Sequence, residues 1–380
     1  MPELNPEWFS KDLLEDVLRK KYSSKNLEIK DFKVTNFGKG DNYASQMKRV
    51  YVEYSLNEEL KSGHFLLKSC FEQDEFIMNI LTPYNVFNHE MRMYDEILPR
   101  LSSILRSAGD PTNLSPETLA VFHKKGSILF EDLSKNNFTM EDRIKGLNFK
   151  QTKLVLQKVA KMHAASAVLK EKEPNVFENC DRGIFNKYTR GFSPYFEANT
   201  RICGELFSNM EGFEYIGEKL LKLVPHLMDY GEEAYQPDPS HFNVLYFQLS
   251  SWGSPAIDLF YLFSTSLQKD IRGRTDELIQ YYYYELLNTL KKLKFKGKIP
   301  TLTELRSQLL MKSFIGFTAA IASQPVMLNS ETEDADFHAM MKNDERGVKF
   351  KNLLFQNPLI QESLKSSLPY FERLGVFDLH

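Results

Sequence analysis

The 380-residue sequence predicts an α+β fold in two parts, a small β-rich part over residues 1–133 and a mostly helical part over 134–380. Two observations carry this expectation. Short runs rich in Val, Tyr and Phe, which suit a pleated and half-buried surface, crowd into the first third of the chain. From Asn148 onward the apolar residues recur instead at helical spacing. A chain of this length can bury a substantial core, as two domains or as one bilobal unit.

Residues 6–21 read as an amphipathic helix, with Trp8, Leu13, Leu14, Val17 and Leu18 on one side. Three extended runs follow, LEIKDFKVTNF, KRVYVEYSL and HFLLKSCF. A helix is expected from about Asn85 to Leu105, and LAVFHKKGSILFEDL reads as a β pair with KKG as its turn. In the second part Leu154, Val155, Val159, Met162, His163 and Ser166 fall on one helix. Further helices are expected near 212–230, 255–267, 274–294, 302–323 and 358–366. The stretch 324–346 mixes acids with small polar residues and is expected to be the least ordered.

Composition removes several function classes. A net charge of -3 argues against nucleic acid as the main partner, because a phosphate backbone demands a strong basic excess. Hydrophobic residues at 42% and charged residues at 26% are the ordinary balance of a soluble globular protein, and 29 Phe with 18 Tyr predict an aromatic core. Cys70, Cys180 and Cys203 provide neither a disulfide framework nor metal-ligand spacing, and read as reduced thiols of a cytoplasmic protein. Eight scattered histidines with no His-x-x-x-His predict no zinc site. The acidic start MPELNPEWFSKDLLEDV does not read as a signal peptide. The most apolar stretch, Ala256 to Phe263, is short and carries Asp258, so it reads as a buried helix rather than a membrane span.

Four features could carry chemistry. Gly38 and Gly40 stand between β runs in GKGDNYASQMKRVYVEY, where a missing Cβ lets backbone approach a phosphate, although the same turn serves an ordinary hairpin. Lys68 is flanked by Phe65, Leu66, Leu67 and Phe71, so its ammonium must find a counter-charge, a phosphate or a route to solvent. Glu90 lies on the next helix, and a strand lysine held by a helix glutamate is how kinases aim the lysine at nucleotide phosphates. The segment Ile128–Leu133 (ILFEDL) follows a strand and could offer backbone donors and acceptors to an adenine ring; Glu131 and Asp132 fit equally well as acids on a surface turn.

Taken together, these features resemble the insect ecdysteroid-kinase-like family, relatives of choline kinases and aminoglycoside phosphotransferases. The likeness runs through NYASQMKRV, NHEMRMYDEILP, FEDL, VAKMHAASAVL, QPDPSHFNVL, FQLSSWGSPAIDLFYLF and the C-terminal YFERLGVFDL. The resemblance implies a bilobal protein-kinase-like fold, with the kinase-like domain over roughly 30–295 and ATP as the nucleotide. It further implies that Gly38, Gly40, Asn42 and Ser45 line the phosphate-covering turn, that Lys68 holds phosphates and Glu90 holds Lys68, and that Glu131 to Leu133 meet adenine. Asp258 would brace the catalytic loop. The acceptor would be a small lipophilic alcohol such as a steroid, in a pocket near Phe185 to Phe207 whose rings (Phe192, Tyr195, Phe196) serve a core as readily as a pocket.

The resemblance breaks at one place. Kinases of this superfamily use an Asp in a His-Gly-Asp loop as base, an Asn five positions later and an Asp on the next strand to hold magnesium. No His-Gly-Asp occurs in this sequence. Asp238 and Asn243 have the right separation, but the metal Asp would then fall at Tyr246, three residues on, where a hairpin of roughly a dozen residues has no room. The simpler reading is a helical part lacking the catalytic hairpin, with no intact catalytic residue and magnesium binding doubtful. Three outcomes follow: an impaired kinase, a non-catalytic nucleotide or ligand binder, or a chain destabilised because Asp258 has lost its partner loop. His163 reads as a packed core histidine, Ser166 and Ser254 lack a nucleophile-elbow setting, and the YYYYELL run as helix packing.

Overall fold

The computed structural model describes residues 6–36, 45–70, 74–188, 190–236, 244–246, 251–330 and 335–379. They belong to two compact units, each made of several chain segments. The first comprises Met1–Met78, Phe87–Pro99 and Asn113–Met140, and the second Asn79–Val86, Arg100–Thr112 and Glu141–His380.

The first unit is built on an antiparallel sheet. Its strands are β1 (Leu27–Asn36), β2 (Gln46–Leu56), β3 (Glu59–Ser69), β4 (Thr118–Phe122) and β5 (Ser127–Glu131), in the spatial order β1-β2-β3-β5-β4. Strand alternation sorts the side chains to two faces. One face, with Ile29, Val50, Val52, Tyr54, Phe65, Leu67 and Leu129, packs with Phe9, Leu14, Val17 and Leu18 of the N-terminal segment. Helix α1 (Lys11–Tyr22) begins later than expected because Ser10 caps it, its hydroxyl accepting the Leu13 N–H at 3.2 Å. Trp8 therefore precedes the helix, yet still packs edge-on against Phe122 with ring centres 5.2 Å apart.

The other face of the sheet carries Ile128, Phe130 and Leu66. Met91, Phe87 and Tyr94, at helical spacing, pack against it. Helix α2 (Glu75–Leu81) precedes α3 (Val86–Arg92). The single helix expected from Asn85 to Leu105 is a composite: Asn85 is left-handed (φ 55°), and a π-helical turn at Met93–Ile97 separates α3 from α4 (Leu98–Ser107).

Among its described residues the second unit is mostly helical, with one short β pair. Its helices are α5 (Phe149–Lys172), α6 (Ser193–Ser208), α7 (Glu214–Leu223), α8 (Leu227–Tyr235), α9 (Ala256–Thr265), α10 (Thr275–Lys292), α11 (Leu302–Met311), α12 (Ser313–Thr318), α13 (Gln324–Leu328), α14 (Phe337–Met341), α15 (Glu345–Gln356) and α16 (Pro358–Arg373). Helix α10 packs along α5, and α6 along α7. Leu147 bridges to Leu267, its N–H donating to Ser266 at 2.7 Å, which ties the start of α5 to the end of α9. Gly146 makes this approach possible: at φ +77° its added Cβ would lie 2.9 Å from the Ser266 carbonyl oxygen.

Several expected helices are interrupted. The run near 212–230 breaks into α7 and α8 at Pro225, which has no N–H to give. The run 302–323 ends at Lys312, restarts as α12 and passes into a π turn at Ala319–Ser323. The last helix is longer than expected, continuing through Pro369 to Arg373. Of the stretch 324–346, expected to be the least ordered, residues 331–334 lie outside the described residues, while the described part forms α13 and α14 with Phe337, Ala339 and Met341 buried.

The expectation of no hairpin ahead of α9 is amended at the level of the backbone. Val244–Tyr246 (β6) pairs antiparallel with Ser251–Gly253 (β7), in register from Val244 opposite Gly253 to Tyr246 opposite Ser251. Strands of three residues fit where a dozen-residue hairpin cannot. No single helix among the described residues is long and apolar enough to cross a membrane.

Candidate functional site

Lys68 sits near the end of β3, between Met47 of β2 and Ile128 of β5. Alternation explains its direction. Phe65 and Leu67 turn to the α1 side of the sheet, while Leu66 and Lys68 turn to the side that α3 covers. On α3, Glu90 stands next to the apolar stripe of Phe87, Met91 and Tyr94. Its Oε1 accepts a hydrogen bond from Lys68 Nζ. Both side chains keep about a quarter of their surface open (26% and 24%), so the pair is neither a sealed core bridge nor a solvated surface pair. Nearby, burial and then the Glu90 charge push the Tyr94 phenol above its ordinary range.

Ser45, nearly buried, immediately precedes β2. Gly38, Gly40 and Asn42 lie outside the described residues, as do Asp238 and Asn243. At the other end of the sheet Glu131 closes β5. Its Oε1 accepts the Glu117 N–H at 2.8 Å and its Oε2 accepts from Asn136 Nδ2 at 3.1 Å. Two backbone donors of the segment expected to meet adenine are already engaged: Glu131 N–H donates to Glu117 (3.0 Å) and Asp132 N–H to His64 (3.1 Å). Leu133 opens a 3-10 turn, and the first N–H of such a turn has no partner within it. The Asp132 carboxylate, 4% exposed, accepts from both the N–H and the hydroxyl of Ser134, with Arg49 at 3.6 Å.

The helical unit holds a second constellation. Asp258, in the first turn of α9, is not left without a partner: its Oδ2 lies 3.0 Å from His163 Nε2 on α5. His163 has no exposed surface, and its Nδ1 lies 2.7 Å from the Tyr282 hydroxyl on α10. His163 is thus buried, as the sequence suggested, but it is also hydrogen-bonded at both ring nitrogens. Tyr282 belongs to the tyrosine run read as packing alone. Nothing in the local sequence marks the connection, whose members lie 95 and 119 residues apart. Sequence spacing within one helix cannot report such a contact.

The rings expected near an acceptor pocket are taken up by packing. Phe185, Phe192, Tyr195 and Phe196 are all buried; Phe185 meets Phe196 with ring centres 4.6 Å apart, and Tyr195 donates to the Ala322 carbonyl at 2.7 Å. Among the described residues no group of three or more His, Cys, Asp or Glu is placed to hold a metal ion.

Comparison with known proteins adds one finding. The model of a family described as ecdysteroid kinase-like matches residues 39–246 and 247–295. No curated protein and no solved structure matches the chain.

Proposed function

This chain belongs to the ecdysteroid kinase-like family, and from that premise we propose that it binds ATP through the Lys68–Glu90 pair but does not transfer the phosphate. The observation that carries the nucleotide reading is the ion pair itself. Glu90 holds the lysine ammonium at a partly open site on the sheet, where it can meet phosphate oxygens as a charge-assisted donor. Leu133 N–H supplies a donor for one edge of adenine. Gly38, Gly40, Asn42 and Ser45 would line the phosphates. The location we propose is the cytoplasm.

The second half of the proposal rests on sequence. No His-Gly-Asp is present, and the family match falls into two stretches that meet between Tyr246 and Phe247. On our reading of the sequence, the base, the Asn and the metal Asp of the family pattern would fall at this junction. Without these groups the charge developing on the phosphates is not neutralised, and the effects of losing members of one catalytic unit do not simply add. Asp258 would brace the chain ahead of α9 in place of a complete catalytic loop.

The test is a thermal-shift titration with ATP, with and without magnesium, paired with a phosphate-transfer assay on small lipophilic alcohols such as ecdysteroids. A rise in Tm that ignores magnesium, with no transfer above a Lys68→Ala control, is the expected result. Transfer above that control, or a rise that needs magnesium, overturns the non-catalytic reading and favours an active alcohol kinase.

A further inference from the structure

The connection between Tyr282, His163 and Asp258 fixes more than packing. Tyr282 is fully buried. Burial, and then the Asp258 charge, hold its phenol above the ordinary value. Its hydrogen-bond partner among the described residues is His163 Nδ1 at 2.7 Å, and a buried hydroxyl proton left without an acceptor is costly, so the arrangement is satisfied with the phenol donating and Nδ1 accepting. A neutral imidazole that accepts at Nδ1 carries its proton at Nε2, and Nε2 faces Asp258 Oδ2 at 3.0 Å.

We propose that Tyr282 and His163 are positioning residues that hold the Asp258 carboxyl group in one orientation, with Oδ1 left to accept backbone N–H donors. Among the described residues Oδ1 has no hydrogen-bond partner, and the Asp258 side chain is the only member of the three with exposed surface (18%). Three helices contribute one residue each: α10 supplies the phenol, α5 the ring and α9 the carboxylate. The direction of donation runs inward to outward, from the sealed tyrosine to the partly open carboxylate. A backbone-accepting role for Asp258 rests on the proposed function. The relay itself does not, and it can be read with no nucleotide present.

The experiment uses the full chain with 15N-labelled histidine. The His163 signals are assigned by their loss in His163→Gln. The expected wild-type pattern at neutral pH is one unprotonated nitrogen, Nδ1, and one protonated nitrogen, Nε2, whose proton is slow to exchange with solvent. Tyr282→Phe removes the donor and should shift the Nδ1 signal or populate the other tautomer. Glutamine can donate to Asp258 and accept from Tyr282, whereas leucine can do neither. His163→Gln should therefore keep most of the wild-type Tm, while His163→Leu loses roughly 5 °C or more. The proposal is overturned if the proton sits on Nδ1, if both nitrogens are protonated, if Tyr282→Phe leaves the spectrum unchanged, or if the Gln and Leu variants melt together. Failure of ATP binding with an intact relay would remove the proposed function and leave this inference standing.

Discussion

Glu90 Oε1 accepts from Lys68 Nζ across a separation of 22 residues, with the lysine on a strand and the glutamate on a helix. Each restrains the other, and a lysine released from Glu90 would sample solvent rather than point at one place. Glu90→Gln should keep the fold and weaken ATP binding about tenfold, and Lys68→Ala should weaken it at least as much. Isothermal titration checks both. Unchanged affinity in Lys68→Ala would show that the nucleotide, if bound, is held elsewhere.

Asn199 lies in the middle of α6 with no exposed surface, and among the described residues neither its amide oxygen nor its amide nitrogen has a hydrogen-bond partner. A buried polar group without partners costs about 1–3 kcal/mol. Leucine has the same number of side-chain heavy atoms in the same branched arrangement and needs no partner. Asn199→Leu should therefore raise the unfolding free energy by about 1 kcal/mol or more in urea titration. A loss of stability would mean that the amide is satisfied in solution.

The alkaline limb of stability should be steep. Burial pushes the Tyr84 phenol up to about 12, and Tyr54, Tyr94 and Tyr235 are raised as well, with burial again the leading cause. A tyrosine raised above its unfolded value stabilises the fold fully below about pH 10, and that contribution disappears as pH climbs through the folded value. Urea midpoints should fall from pH 10 toward pH 12, and Tyr84→Phe should fall less steeply. An identical slope in the variant would rule out Tyr84 as a contributor.

Helix α5 carries His163 and starts with a reciprocal cap. Asn148 Oδ1 accepts the Gln151 N–H at 3.0 Å, and Gln151 Oε1 accepts the Asn148 N–H at 2.9 Å. Asn148→Ala should cost about 1 kcal/mol, and Asn148→Asp should restore most of it. Thermal melts of the three proteins decide the matter, and equal melting of Asn148→Ala and wild type would show that the cap adds nothing.

Much of the first unit was legible because strand alternation is local. The pattern that buries Phe65 and Leu67 on one side necessarily sends Lys68 to the other, and the stripe of Phe87, Met91 and Tyr94 brings Glu90 to it. Helix interruptions were less legible. Pro225 announces itself, and the π turns at Met93–Ile97 and Ala319–Ser323 each run directly into a proline without an N–H, Pro99 and Pro325, whereas the break at Lys312 coincides with no such residue. The Tyr282–His163–Asp258 connection was illegible for a different reason. Each residue has an ordinary setting on its own helix, and only the packing of α5 against α10 and the position of α9 join them.

The short pairing of β6 with β7 has an evolutionary consequence. Val244 to Tyr246 are held in register against Gly253 to Ser251, and α9 begins soon after. Chain added or removed between the two strands changes the closure entropy only logarithmically and asks neither strand to find a new partner. The junction of Tyr246 with Phe247, where the family match divides, is therefore a natural graft point. On the proposed non-catalytic reading, a loop bearing a base and metal ligands, transplanted there from an active relative, is expected to restore transfer without redesign of the remaining scaffold.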